Sequence, residues 1–235
     1  MGAGGTRERS RITMRKVADE LWQLEGFPRD MLNVYLAGDV LIDAGTRWDV
    51  PRIMRQLRGR AIRLVCLTHC HPDHQGAARV VCRRFGVPLA CHEADVPAVE
   101  GRAPMSPDNW LVRLGVKLIA GPPCPVGLVL REGNEVAGFR VVHAPGHTPG
   151  HIILFRDADR VAVAGDLMAN TDFLTGRTGL REPPSFFSAD PALNRRSIRT
   201  LAALAPAVVC FGHGPPLLDL RVLERFAAGL ECSSL

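Results

Sequence analysis

The 235-residue sequence lacks several features that define other classes of protein. No apolar run approaches the ~20 residues that a membrane-spanning helix needs, and no apolar stretch follows the charged N-terminus as it would in a secretory signal. The chain has a single tyrosine and two lysines, and no two cysteines have C-x-x-C spacing. We therefore expect a cytoplasmic globular protein that contacts no membrane and keeps its seven cysteines as reduced thiols.

The basic charge is scattered along the chain. Lys and Arg number 29 against 24 acidic residues, for a formal net charge of +5. Such an excess is compatible with nucleic-acid binding. However, the densest pairs, Arg83-Arg84 and Arg195-Arg196, fall in segments that we predict to be helical. We interpret them as solvated helix faces, so a nucleic-acid partner is not expected.

Strand-like and helix-like apolar patterns alternate along the chain. Strands are predicted at 31–37, 40–43, 62–67, 88–91, 138–144, 152–155, 161–164 and 208–211. Helices are predicted at 50–57, 75–85, 190–205 and 220–230, with loops at 101–125 (holding a short helix at 109–114) and 167–189. Because strands lead and helices follow in both halves, we expect an α/β layered fold. Residues 1–11 should form a flexible tail before a single domain over 12–235.

Polar side chains follow the ends of several predicted strands. They are His69, His71, Asp73 and His74 after one strand, His147 in the turn after the 138–144 strand, and Asp166 and His213 after two others. Ligand sites of open α/β sheets gather outside the carboxyl ends of strands. Residues i and i+2 of an extended segment point to one side, so His69 and His71 can bind one ion. Imidazole and carboxylate groups suit zinc, and also iron or manganese. The sequence therefore predicts a site with enough ligands for two ions.

The motifs in this arrangement resemble those of the metallo-β-lactamase superfamily. The resemblance rests on Thr68-His-Cys-His-Pro-Asp-His74, Gly146-His-Thr-Pro-Gly-His151, Gly165-Asp166, Gly212-His213 and the hairpin that ends in Leu41-Ile-Asp-Ala-Gly45. It implies a four-layer αββα sandwich with a dinuclear site, most simply two zinc ions, in a groove at the sheet edges. It also implies a ligand assignment: His69, His71 and His147 for the first metal, Asp73, His74 and His213 for the second, and Asp166 as the bridge.

This resemblance implies a hydrolase that cleaves an ester, thioester or lactone. A hydroxide that bridges the two ions would attack the carbonyl carbon, and a metal ion would stabilise the developing oxyanion. Asp73 would orient the nucleophile and move its proton toward the leaving group. We expect a small-molecule acyl substrate as the partner, and a homodimer is compatible with the sequence.

Other residues near the motifs have weaker assignments. His151 is interpreted as a structural or supporting residue rather than a ligand, and Cys70 as a packing residue. Asp43 is interpreted as structural or as a support for the ligands. The pocket wall is expected from the two predicted loops, through their aromatic and polar residues Trp110, Asn170, Phe173, Phe186 and Phe187.

Two other activities stay open at this point. One is a mononuclear iron enzyme like the persulfide dioxygenases of the superfamily, which metal identity and oxygen consumption would separate from a zinc hydrolase. The other is a nucleic-acid-processing phosphodiesterase, whose binding would depend steeply on salt. A glutathione thioesterase is not favoured, because the single tyrosine, Tyr35, lies in the early hairpin.

Overall fold

Two β-sheets lie at the centre of the molecule, which is described by a computed structural model over residues 14–26 and 28–230. The first sheet has seven strands in chain order: β1 (Arg15–Ala18), β2 (Leu21–Gln23), β3 (Tyr35–Ala37), β4 (Val40–Ile42), β5 (Leu64–Cys66), β6 (Leu89–His92) and β7 (Val126–Leu130). The second has five, in the order β12-β11-β10-β9-β8: β8 (Glu135–Val136), β9 (Phe139–His143), β10 (Ile152–Arg156), β11 (Val161–Val163) and β12 (Val208–Cys210). The tail expected over residues 1–11 lies outside the described residues.

Strand direction places the chain segments that carry the polar motifs. β4, β5, β6 and β7 run parallel, and so do β11 and β12. The other neighbouring pairs in both sheets are antiparallel. Because parallel strands end at one edge of their sheet, the segments that follow β5, β11 and β12 leave the sandwich on the side where ligand sites of such sheets form.

Helices cover the outer faces of the two sheets. Those that do so are α1 (Val50–Gln56), α3 (Ala78–Phe85), α4 (Val96–Val99), α6 (Pro191–Ala203) and α7 (Leu220–Gly229). Two further helices, α2 (Pro72–Gln75) and α5 (Trp110–Ile119), pack on each other. Ile53 of α1 and Val81 of α3 pack in the core outside the first sheet, and Ile198 of α6 and Leu223 of α7 in the core outside the second. The expected four-layer αββα sandwich is confirmed.

The alternation of side chains along a strand produces the layers. In β10, Ile152 and Leu154 point into the core between the sheets, whereas Ile153 and Phe155 point into the core under α6 and α7. Successive side chains of a strand face opposite sides, and this strand is covered on both. It therefore reads as an unbroken apolar run.

Several predicted elements are confirmed, with shorter bounds. The hairpin at Gly38-Asp39 joins β3 and β4, and Gly38 has the positive φ of +57° that such a turn needs. Asp190 caps α6, since its side chain accepts a hydrogen bond from the backbone N–H of Leu193 at 2.9 Å. Gly86, with φ of +69°, ends α3 as expected.

Other expectations were wrong in ways that tertiary contacts explain. The helix predicted over 75–85 is two helices, α2 and α3, separated at Gly76-Ala77. Gly76 packs directly on the backbone of Thr46, and its N–H donates to the carbonyl of Gly45 rather than continuing the helix. The helix at 109–114 extends to Ile119 as α5, and the strands β1, β2, β7 and β8 and helix α4 were not predicted.

Membrane-spanning helices and disulfide bonds are both absent from the part of the chain that the structure describes. No helix there is long and apolar enough to span a membrane. Its six cysteines are buried and form no disulfide. The seventh, Cys232, lies outside the described residues.

We predict that Gly121→Ala lowers the free energy of unfolding by about 1–3 kcal/mol. A Cβ atom at Gly121 would lie 1.9 Å from the carbonyl oxygen of Gly76, so two backbone segments would have to separate. Gly229→Ala in α7 is the matched control, because its Cβ would meet no atom within 4 Å. Chemical denaturation of both variants measures the difference, and equal stabilities would contradict the close approach.

Candidate metal centre

Seven His and Asp side chains converge at one edge of the sandwich. They are His69, His71, Asp73 and His74 after β5, His147 after β9, Asp166 after β11 and His213 after β12. The ligand atoms of the three-histidine group, His69, His71 and His147, lie within 4.8 Å of one another. Those of the mixed group, Asp73, His74, Asp166 and His213, lie equally close together. The structure thus brings together the seven side chains that the sequence singled out, in two groups.

Asp166 lies between the two groups. Its Oδ2 is 3.0 Å from Nε2 of His213, 3.3 Å from Nε2 of His74, 3.8 Å from Nε2 of His147 and 4.0 Å from Nε2 of His69. Two atoms that bind one zinc ion tetrahedrally at ~2.0–2.1 Å are themselves about 3.3 Å apart. The separations around this carboxylate are therefore those of ligands that share ions.

Four atoms of the cluster are buried without a hydrogen-bond partner in the protein. They are Nε2 of His69, His74 and His147, and Oδ1 of Asp166. Buried polar atoms nearly always have a partner, because desolvation without one costs free energy. Imidazole nitrogens and carboxylate oxygens are also the common ligands of zinc and related metals. The donor set and its unpartnered atoms are consistent with a dinuclear metal site.

Each of the five imidazoles uses one ring nitrogen for a partner outside the cluster. The pairs are His69 Nδ1 with Thr68 Oγ1 (3.0 Å), His71 Nε2 with the Ser106 carbonyl (2.8 Å), His74 Nδ1 with Asp43 Oδ2 (2.9 Å), His147 Nδ1 with Ser188 Oγ (3.3 Å) and His213 Nδ1 with the Met31 carbonyl. Carbonyl and carboxylate oxygens accept, so the paired nitrogens of His71, His74 and His213 carry the proton. The other ring nitrogen is then free for an ion.

Two buried carboxylates outside the cluster hold its loops in place. Asp43 accepts from the N–H of Thr68 (2.8 Å) as well as from His74, which agrees with a supporting role. Asp95 accepts from the N–H of Cys70 (3.0 Å), from Thr148 Oγ1 (2.8 Å) and from the N–H of Gly150 (2.7 Å). Asp95 therefore joins the His69–His71 segment to the 146–151 turn. Sequence reasoning missed it, because most of its partners are backbone groups that no motif reveals.

The remaining candidates lie outside both groups. His151 is fully buried, and its Nε2 accepts a hydrogen bond from the backbone N–H of Asp166 at 3.1 Å. Cys70 is buried in the core outside the first sheet. The two other histidines of the chain, His92 and His143, stack on each other with ring centroids 4.0 Å apart. The structure thus places His151 where it positions a ligand, and Cys70 where it packs.

Electrostatics differ between the two groups. Burial lowers the pKa of His69, His71 and His147, so these imidazoles are neutral bases. Burial opposes the charge of His213 as well, but Asp166 and Asp73 outweigh it and raise its pKa to about 10. In turn, although burial alone would raise the pKa of Asp73, the charges of His74 and His213 hold it well below its usual range. The two carboxylates of the mixed group thus favour positive charge beside them, which a bound metal ion would supply.

A cavity of about 560 Å³ opens above the cluster. Its floor consists of His71, Asp73, His147, Asp166 and His213. Of the five residues expected in the pocket wall, the structure places Phe173, Phe186 and Phe187 along the cavity.

Trp110 and Asn170 do not line this cavity, and that expectation was wrong. Trp110 is 71% exposed on the outer face of α5. Asn170 is buried and donates to the carbonyl of Pro215 at 2.8 Å. The inner face of α5 contributes Leu111 and Ile119 instead. The helical period of α5 could have separated its two faces, had its full length been recognised.

Comparisons with known proteins agree with this geometry. The family model described as "Metallo-beta-lactamase superfamily" matches residues 28–213. The probable metallo-hydrolase YflN of Bacillus subtilis is 32% identical over 200 residues, which cover 76% of each chain. A hydroxyacylglutathione hydrolase of Acidiphilium cryptum is 32% identical over 159 residues, 67% of this chain and 52% of that protein. The crystal structure of TTHA1623 in a di-iron-bound form superposes with a TM-score of 0.61 at 31% identity, covering 83% of this chain and 92% of that one.

We predict that Asp43→Asn weakens metal binding by about 10- to 100-fold. An amide in place of the carboxylate cannot accept as strongly from His74 Nδ1, so the tautomer and orientation of His74 are no longer fixed. The measurement is competition with a chromogenic chelator. Asp39→Asn is the control, because Asp39 pairs with Arg63 on the surface. Unchanged affinity in Asp43→Asn would contradict the supporting role.

Proposed function

The chain belongs to the metallo-beta-lactamase superfamily, and on that premise we propose that it hydrolyses a carboxylic ester, thioester or lactone. The observation that carries the proposal is the convergence of seven His and Asp side chains, five of which form the floor of an open cavity. Four buried atoms of this cluster have no protein partner. The similarity to hydroxyacylglutathione hydrolases supports an acyl substrate.

The donor set fits two divalent ions. His69, His71 and His147 would hold one, Asp73, His74 and His213 the other, and Asp166 would contact both. When bound, the ions would supply Lewis acidity and lower the pKa of a water molecule. We propose zinc as the resident metal, because nitrogen and oxygen donors of this kind are its common ligands. The di-iron form of TTHA1623 makes iron the competing assignment.

Asp73 is placed to handle the proton of the attacking water. Its side chain is 21% exposed and lines the cavity floor, and its Oδ2 lies 3.3 Å from His213 Nε2. As a carboxylate it can accept a proton from water and pass it to the leaving oxygen or sulfur. The acyl C–O or C–S bond breaks as the water oxygen bonds to the carbonyl carbon. The products are a carboxylic acid and an alcohol or thiol, or one hydroxy acid from a lactone.

We predict that the protein purified without added metal holds about two ions per chain. Stripping these ions with a chelator should abolish ester hydrolysis, and adding zinc should restore it, because the floor has unpartnered ligand atoms without them. Elemental analysis and an aryl ester assay measure both quantities. Full activity of the stripped protein would contradict the proposal, as would about one iron per chain with oxygen uptake on a persulfide.

We predict that Asp73→Ala lowers kcat/KM by about 10²- to 10⁴-fold, the usual contribution of a positioned acid or base. Circular dichroism of the variant should match that of the wild type, because the Asp73 side chain lies at the cavity rather than in a core. Asp157→Ala is the control, since Asp157 pairs with Arg140 on the surface. A folded Asp73→Ala variant with wild-type activity would overturn the assigned role.

A further inference from the structure

The cavity above the metal centre has a polar floor and an apolar wall. Above the five His and Asp residues of the floor, one side is the inner face of α5, with Leu111, Val112 and Ile119. The opposite side is the segment 168–187, with Phe173, Phe186 and Phe187. Within the described residues, no charged or hydrogen-bonding side chain lines the cavity above its floor. A ligand must therefore satisfy its polar groups at the floor and present hydrocarbon to the wall.

Charged ligands do not suit this wall. A carboxylate or phosphate held between α5 and the 168–187 segment would lose water and gain no partner, which is costly. Glutathione carries two carboxylates, and a thioester of glutathione would need cationic groups that the described part of the cavity lacks. We therefore expect a substrate whose leaving group is not glutathione, in contrast to the substrates named for the similar hydroxyacylglutathione hydrolases.

The two sides of the wall are tied together. The side-chain amide of Asn109, at the start of α5, donates to the carbonyl of Phe186 at 2.6 Å. Farther along the same segment, the N–H of Ala189 donates to the carbonyl of His147 at 3.1 Å. We call the space between these two sides the slot. The first hydrogen bond fixes the two sides relative to each other, and the second fixes the 168–187 side relative to the floor residue His147.

Exposed aromatic surface marks the part of the slot that a ligand would cover. Phe173, Phe186 and Phe187 are 52%, 48% and 37% exposed. The ring of Phe173 packs edge-on against His213 with centroids 4.9 Å apart, so apolar surface continues down to the floor. Covering such surface with hydrocarbon is favourable in proportion to the area removed from water.

The size of the cavity sets the length of that hydrocarbon. At about 30 Å³ per non-hydrogen atom, the volume that one water molecule occupies in the liquid, the cavity's roughly 560 Å³ holds about 19 such atoms. An ester or thioester group and part of its leaving group would take several of these positions at the floor. About six to ten carbons then remain for the acyl chain.

We propose that the substrate is an uncharged ester, thioester or lactone whose acyl part is an apolar chain of about six to ten carbons, lying between α5 and the 168–187 segment. This inference rests on the proposed hydrolase function. It names the substrate class for the same site.

Gly115 provides a variant that changes the slot directly. It lies in the middle of α5 and lines the cavity, and a Cβ there would contact only Pro72 Cγ, at 3.6 Å. Glycine is unfavourable within a helix, but because it has no side chain it leaves room in the slot between α5 and the 168–187 segment. Gly115→Leu should fill that room. Gly115→Ala tests a smaller change, because a Cβ atom 3.6 Å from Pro72 Cγ makes an ordinary van der Waals contact. Leu114→Ala is the matched control, because Leu114 is exposed and does not line the cavity.

The experiment measures kcat/KM of the metal-loaded protein for 4-nitrophenyl esters with acyl chains of two to twelve carbons, and for S-D-lactoylglutathione. We expect kcat/KM to rise by up to about fourfold per buried methylene until the slot is full. Gly115→Leu should lower the ratio of octanoyl to acetyl ester activity by about tenfold or more, as expected when two or more methylenes lose their place. Leu114→Ala should keep the wild-type ratio.

A binding measurement separates failure of the inference from failure of the proposed function. Methyl n-alkyl ketones cannot be hydrolysed, and calorimetry gives their affinity for wild type and both Gly115 variants. If esters are hydrolysed with no dependence on chain length, or S-D-lactoylglutathione is preferred, the inference is overturned and the hydrolase function stands. If no ester is hydrolysed, the hydrolase function fails. In that case, a ketone affinity that rises with chain length would still support a binding site for an apolar chain. Absence of ketone binding would overturn the apolar-chain site as well.

Discussion

The carboxylate of Asp166 is the group on which the arrangement of the site depends. It is only 8% exposed, and a buried carboxylate is costly unless cationic or hydrogen-bonding partners compensate it. Its Oδ2 has four imidazoles within 4.0 Å, from three other segments of the chain. Those segments must return to one edge of the sandwich. The approach is so close that a Cβ at Gly212 would lie 2.0 Å from Asp166 Oδ1, so this neighbour has to be glycine.

The carboxylates of Asp43 and Asp95 turn this convergence into a fixed geometry. Asp43 joins the end of the β3–β4 hairpin to Thr68 and His74, and Asp95 joins the loop after β5 to the 146–151 turn. Each accepts hydrogen bonds from N–H or O–H groups that would otherwise be buried without partners. The imidazoles are therefore oriented by hydrogen bonds within the protein itself. Hydrogen bonds around the cluster thus hold the unpartnered nitrogen and oxygen atoms of the His and Asp side chains close to one another.

The sequence allowed the floor of the site to be predicted far better than its wall. The seven floor and cluster residues sit in short motifs directly after apolar strands, and strand ends of one sheet meet in space. The wall depends on which face of α5 turns inward, which the packing of α5 over α2 decides. Trp110 was placed in the pocket because it is aromatic, whereas the helix carries it outward. The break at Gly76 escaped prediction for a similar reason, since its cause is contact with Thr46, thirty positions away.

The floor and the wall of the site are held in place by different contacts. Each imidazole of the site is held by a specific partner, such as the Met31 carbonyl for His213, so a change there would disturb metal binding. The wall is positioned differently, because α5 is seated over the ligand loop by the backbone approach of Gly121 to Gly76. Its inward side chains take no part in that contact. The wall is therefore the part of the site on which the proposed choice of acyl group depends.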